Sequence, residues 1–162
     1  MNKIIIFGNS GSGKSTLAKR LSNLHGLANL DLDTIAWLDT NPPQRMPLEQ
    51  SVKVIDDFLQ QNTHWVIEGC YADLLEYVAP KASKLIFLNL PVNMCIDNAK
   101  KRPWEPHKYP SKQAQDQNLS MLIDWIKQYP TRNDTFSQKA HEKLYQEFEG
   151  HKEILAENAR LE

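Results

Sequence analysis

Cysteine is almost missing from this sequence. Cys70 and Cys95 are the two in 162 residues, too few for a disulfide framework and in keeping with a reducing compartment, the cytoplasm. Glycine is also sparse, with six residues, and three of them fall between Gly8 and Gly13. Long apolar runs are lacking: the longest, residues 4–7 and 85–90, are far short of the roughly 20 residues that span a bilayer. The run after Lys3 breaks at once into Gly8-Asn9-Ser10-Gly11, so it does not read as a secretory leader. Neither sign of charge dominates. With 19 Lys and Arg against 20 Asp and Glu, there is no electrostatic case for a general nucleic-acid binder. Five histidines show no paired spacing with one another or with cysteine, which speaks against a protein-bound zinc site.

What is present describes a folded domain. Apolar residues make up 41% and charged residues 24%, which excludes a disordered chain, and the length suits one domain over residues 1–162. Residues 3–7 form a continuous apolar run suited to a strand buried on both faces. Leu17, Leu21 and Leu24 then follow helical spacing, and residues 28–32 predict a second strand. Pro47 suits a first helical turn, ahead of Leu48, Val52, Ile55 and Leu59. Residues 64–67 and 84–90 read as two more buried strands. Val92, Ile96 and Ala99 open a helix that Pro103 ends. Leu119, Leu122, Ile123 and Ile126 mark a further helix, and Phe136, Ala140, Leu144 and Phe148 another. Residues 152–155 predict a short last strand. Strands alternating with helices imply βαβ units: an α/β fold with a parallel sheet and helices on both faces.

The chemistry starts in the glycine cluster. Gly8-Asn9-Ser10-Gly11-Ser12-Gly13-Lys14-Ser15, followed by Thr16, fits G-x-x-x-x-G-K-[ST]. Glycines let the backbone curl so that successive N–H groups converge on phosphate oxygens. A helix beginning near Lys14 adds its positive end to the same spot. Lys14 is placed to neutralise β- and γ-phosphate charge, and Ser15 to ligate Mg²⁺. These residues predict binding of a nucleoside triphosphate, ATP.

Ligands of an open parallel sheet collect at the carboxyl ends of its strands. Asp31 and Asp33 close the second predicted strand, and Glu68 closes the third. One Asp would serve a Mg²⁺-bound water and the other an acceptor hydroxyl, while Glu68 takes the place of an acid ending a Walker-B strand. Asp56, Asp57, Asp73 and Glu76 read as solvated faces. Around the proline-rich segment 104–110, Lys100, Lys101, Arg102, Lys108 and Lys112 concentrate positive charge. Arg102 is the favoured member, because the arginine fork binds two phosphate oxygens, whereas Lys108 and Lys112 read as a solvated helix end. Trp37 and Tyr71 would line an acceptor pocket; Trp65 and Trp125 read as core.

The sequence resembles P-loop small-molecule kinases of the adenylate-kinase/shikimate-kinase type, and within them a bacterial adenylate-kinase-like subgroup also described as DNA-topology-modulation proteins. The resemblance rests on Gly8 through Ser15, on Leu32-Asp33 with Trp37 four residues on, on Trp65-Val66-Ile67-Glu68-Gly69-Cys70-Tyr71, and on Phe87-Leu88-Asn89-Leu90-Pro91. It implies a three-layer fold with strand order 2-3-1-4-5 and a small lid at about 103–117. It implies further that Asp31 serves the metal shell with Ser15 and Glu68, that Asp33 contacts the acceptor, and that Arg102 and Arg132 reach the transferring phosphate. The sequence departs from the pattern in having Glu68 for the usual Asp, no arginine after Gly69, and Gly69-Cys70 where many shikimate kinases have Gly-Gly. The implied activity is Mg·ATP-dependent phosphoryl transfer to a small molecule, a nucleoside monophosphate or a hydroxylated metabolite such as shikimate, by a monomer or weak homodimer. The alternative is a P-loop ATPase or regulatory nucleotide-binding protein without a small-molecule acceptor, associated with DNA. Asn-Lys-x-Asp and Asp-x-x-Gly are both missing, which speaks against a GTPase.

Overall fold

Ile4, Ile5, Ile6 and Phe7 are all buried, and this two-sided apolar run puts strand β1 (Lys3–Gly8) at the centre of the sheet in the computed structural model, which describes residues 2–159. Around it lie β2 (Ala28–Asp31), β5 (Trp65–Gly69), β6 (Lys84–Leu88) and β7 (His151–Leu155), while β3 (Trp37–Leu38) and β4 (Gln44–Arg45) form a separate antiparallel hairpin. The order is β2-β5-β1-β6-β7, with every pairing parallel. Running labels differ from the expected 2-3-1-4-5 because the hairpin, which the sequence reading did not contain, takes two numbers. Among the sheet's own strands the sequence is 2-3-1-4-5.

Successive residues of each strand face opposite layers. Ile5, Phe7, Ile67, Leu85 and Phe87 join Ile55 of α2 (Leu48–Gln61), Leu74 and Leu75 of α3 (Ala72–Val78), and Leu144 of α6 (Gln138–Glu147) in one core. Ile4, Ile6, Val66, Ile86 and Leu88 join Leu17 of α1 (Lys14–His25), Cys95 and Ile96 of α4 (Val92–Lys100), and Ile126 of α5 (Lys112–Lys127) in the other. Phe7 and Phe87 stack at 4.9 Å between ring centroids, and His141 meets both rings edge-on. Burial holds His141 neutral, at about 4. Its two nitrogens bond the Tyr129 hydroxyl and the Cys70 carbonyl, each at 2.8 Å.

Several elements depart from expectation for local reasons. Helix α3 was not foreseen: Asp73, Glu76 and Tyr77 do share one face at helical spacing, but seven residues give fewer than two repeats of that period. Asp73 is not simply a solvated face: it ion-pairs with Arg45 at 3.1 Å. Asp56 likewise accepts a hydrogen bond from the Tyr77 hydroxyl. Pro47 precedes α2 as its cap residue instead of opening the first turn. Of the segment 103–117 expected as a lid, residues 112–117 are helical, since Ser111 caps α5 through a hydrogen bond from the Ala114 N–H. No helix among the described residues is long and apolar enough to cross a membrane.

The loop between β1 and α1 runs against its neighbours' backbones. A Cβ on Gly11 would lie 2.3 Å from the Cys95 carbonyl oxygen, at φ +80°. Gly26, the C-cap of α1, has φ +65° but nothing within 4 Å of a built Cβ. Gly26→Ala therefore carries only the left-handed backbone cost, about 1–2 kcal/mol. Gly11→Ala adds a backbone collision and should lose at least about 1 kcal/mol more. Urea midpoints of the two variants check this, and equal losses would mean that the loop shifts freely away from α4.

Candidate functional site

The N-terminus of α1 has no side-chain cap, so its first N–H groups lack partners within the helix. They open into a cavity of about 1010 Å³ lined by every residue from Ser10 to Thr16. Gly8 and Asn9 do not line it; they shape the loop from behind. A Cβ on Gly8 would meet the Leu88 carbonyl at 2.4 Å, and the buried Asn9 side chain donates to the Ile126 carbonyl at 3.2 Å. Asn98 of α4 donates to the Gly11 carbonyl at 2.8 Å. Lys14 Nζ folds back on the Asn9 carbonyl at 2.8 Å, and the buried Ser12 Oγ has no hydrogen-bond partner among the described residues. Open N–H groups, a lysine and an unpaired hydroxyl around one curled loop fit a polyphosphate.

Asp31, Asp33 and Glu68 line the same cavity, at the carboxyl ends of β2 and β5 as the strand-end rule requires. Ser15 Oγ donates to Glu68 Oε1 at 2.8 Å. Burial, reinforced by the charge of Asp31, pushes the Glu68 carboxyl up to about 7. Burial and Asp33 also raise Asp31. Asp33 goes the other way: burial alone would raise it, but Lys108, the Tyr71 hydroxyl and Lys14 together hold it below the usual carboxylate range. Among the described residues no cluster of three or more His, Cys, Asp or Glu side chains is arranged to hold a metal by itself. The hard oxygens of Ser15 and Glu68, with Asp31 beside them in register, instead fit a Mg²⁺ that keeps waters and takes phosphate oxygens as its remaining ligands.

The cationic side of the cavity differs from expectation. Lys108, read from the sequence as solvated, crosses the cavity and places Nζ 3.1 Å from Asp33 Oδ2 and 4.0 Å from Asp31 Oδ2. Arg102 lines the cavity but ion-pairs with Glu105 at 3.3 Å. Arg132 is not among the lining residues. Its guanidinium lies 3.5 Å from the centroid of Trp125 and 2.6 Å from Asp134, so aromatic stacking and a carboxylate hold it away from the phosphate loop. Tyr71 and Trp37 stand behind Asp33 instead of lining the pocket: the Trp37 indole donates to the Tyr71 hydroxyl at 2.8 Å, and that hydroxyl donates to Asp33 Oδ1. Sequence reasoning missed Glu105, Lys108 and Asn98. The Glu105-to-Lys108 spacing of three was the one local signal for the first two, and nothing local pointed across the cavity.

The position of Glu68 has a consequence for stability. In the unfolded chain its carboxyl titrates near 4.5, and in the fold near 7. The native state holds that proton more tightly, so stability falls as pH rises from about 4.5 to 7 and stays lowered above that. Glu68→Gln removes the buried charge. The unliganded variant should melt with wild-type stability near pH 4.5 and gain on the order of 1–2 kcal/mol at pH 8. Thermal melts across that range check it, and a variant destabilised at pH 8 would contradict the raised carboxyl.

Solved structures repeat this fold at low sequence identity. A sugar kinase from Janibacter sp. HTCC2649 superposes with a TM-score of 0.54 at 12% identity, over 96% of this chain and 85% of its own. The Thermus thermophilus protein TT1252 gives 0.55 at 14% identity, over 98% and 90%. Shikimate kinase from Acinetobacter baumannii, solved with shikimate, gives 0.50 at 14% identity, over 99% and 87%. No curated protein matches the sequence. The AAA domain family matches residues 4–119, which contain the phosphate loop, the cavity carboxylates Asp31, Asp33, Glu68 and Glu105, and the loop between α4 and α5. With that match and the five-stranded parallel sheet around an open helix N-terminus, the chain belongs to the AAA domain family and has the P-loop NTPase fold shared by these kinases.

Proposed function

We propose that this chain is a small-molecule kinase that transfers the γ-phosphoryl group of ATP to a hydroxyl of an acceptor seated beside Asp33. One observation carries the reading. Asp33, an ionised carboxylate aimed into the cavity from the strand end, faces the same space as Lys14 and the open N–H groups of α1. Glu68 is tied to Ser15 of the phosphate loop, whereas Asp33 has no bond to that loop among the described residues and stands where an acceptor hydroxyl beside the γ-phosphate would sit. The folds of the sugar kinase and the shikimate kinase support the class of reaction, while the acceptor's identity stays with the experiment.

In this reading Lys14 and the α1 N-terminus hold the β- and γ-phosphates, and preorganised charge stabilises the transferring group. Mg²⁺, held by Ser15 and Glu68 with Asp31 in the surrounding shell, would neutralise phosphate charge. Asp33 orients the acceptor hydroxyl and takes its proton as the new oxygen–phosphorus bond forms. The bond between the γ-phosphorus and its bridging oxygen breaks, and ADP leaves with that oxygen. Tyr71, 2% exposed, fixes the rotamer of Asp33 from behind. Arg102 is the cation of the lid segment best shaped to meet phosphate oxygens, once Glu105 releases it.

Screening nucleoside monophosphates, shikimate and other polyols for acceptor-dependent ADP release with Mg·ATP tests the proposal. In calorimetric titrations Lys14→Ala should lose most Mg·ATP affinity while keeping its fold. Asp33→Asn should keep ATP affinity within about threefold yet lose at least about 100-fold in transfer, the usual scale for a positioned base. Unchanged ATP binding by the Lys14 variant would overturn the phosphate-loop assignment. Steady ATP hydrolysis that no acceptor accelerates would favour a plain ATPase.

A further inference from the structure

The loop between α4 and α5 is braced almost wholly within itself and on α5. Gln115 accepts a hydrogen bond from the Glu105 N–H at 2.8 Å and donates to the Pro103 carbonyl at 3.0 Å. The Trp104 indole donates to the Tyr109 carbonyl at 3.0 Å. Among the described residues, the hydrogen bonds and ion pairs that cross from this loop to the strand ends are those of Lys108 with Asp33 and Asp31. Both oxygens of Asp33 are thereby engaged, Oδ1 by the Tyr71 hydroxyl and Oδ2 by Lys108. Tyr71 is buried and wedged between Phe136 and Trp37, so it has nowhere to go. Lys108 sits on a surface turn at the end of a flexible four-carbon stem, with Glu105 Oε2 waiting 3.6 Å away.

We infer that Lys108 is a latch seated in the acceptor subsite: its ammonium occupies Asp33 Oδ2 until an acceptor hydroxyl displaces it, so the loop stays closed while the subsite is empty and a water reaching the exposed carboxylate is denied that oxygen. This rests on the kinase reading for the meaning of the subsite, but the latch itself is a property of the unliganded chain. A water molecule in the acceptor's place would need Asp33 for orientation, and an ammonium already on Oδ2 denies it. Glu105 already holds Lys108 through Oε2 at 3.6 Å and Arg102 through Oε1 at 3.3 Å, so a lysine displaced from Asp33 keeps an anionic partner within its own turn.

Hydrogen exchange of the unliganded protein reads the latch without any nucleotide. Lys108→Met should speed amide exchange across residues 103–110 by about tenfold or more, since the loop loses its ties to the strand ends. Asp33→Asn should give part of that gain. The double variant should exceed Lys108→Met little, because both remove the same contact. Lys108→Arg should restore slow exchange, which a general loosening of the loop would not do. With Mg·ATP and no acceptor, Lys108→Met should hydrolyse ATP at least about fivefold faster than wild type. Wild-type exchange in the Lys108→Met loop, or additive effects in the double variant, would overturn the latch. Faster exchange without faster hydrolysis would overturn its shielding of Asp33. A wild-type chain that neither binds nor turns over Mg·ATP would defeat the kinase reading instead, leaving the exchange result to stand or fall alone.

Discussion

Asp31 lies directly opposite Glu68 in the ladder between β2 and β5, and parallel strands hold such neighbours about 5 Å apart in backbone register. The backbones that carry the two carboxylates cannot separate without breaking the sheet. Much of the remaining site responds to that fixed pair. Glu68 is relieved by taking up a proton near neutrality and by the Ser15 hydroxyl. Asp31 and Asp33 are relieved by Lys108 and, at longer range, by Lys14. In the proposed reading, a divalent cation brought in with a polyphosphate would supply what the protein's own cations do not.

Features set by neighbours in sequence were the legible ones. Glycine spacing before Lys14 and Ser15, two-sided apolar runs at β1, β5 and β6, and acids just past strand ends all act through the local backbone, and the fold places them as expected. Contacts across long separations were not legible. Lys108 meets Asp33 seventy-five residues away, and whether a lysine points to water or to a carboxylate depends on how a loop closes. Arg132 illustrates the converse. The kinase resemblance marked it as a phosphate ligand, yet Trp125 seven residues back and Asp134 two residues on satisfy it locally. Helix α3 stayed hidden for another reason: at seven residues it repeats its pattern of buried and exposed positions less than twice.

Behind Asp33 the protein is stiff. Arg45 lies 5.0 Å from the Tyr71 ring centroid and 5.6 Å from that of Phe136, with Asp73 as its ion partner, and so ties the β3–β4 hairpin to α3. Trp37 on the hairpin reaches Tyr71, and Tyr71 reaches Asp33. The carboxylate proposed to meet the acceptor is therefore backed by aromatic packing on one side and by a single lysine on the other. Cys70 also lines the cavity, but burial pushes its thiol up to about 12, so it contributes bulk and no nucleophile.

Asn98 has two amide hydrogens, and each is used: one on the Gly11 carbonyl at 2.8 Å, the other on Asn158 Oδ1 at 2.7 Å. A donor with both hydrogens committed leaves neither acceptor a substitute from the same side chain. The phosphate loop, α4 and the segment after β7 are thus joined through one planar group, as three arms on a single pivot. Rotation of that amide loosens two arms together, so a disturbance in the last described residues is felt at the phosphates without passing through the sheet.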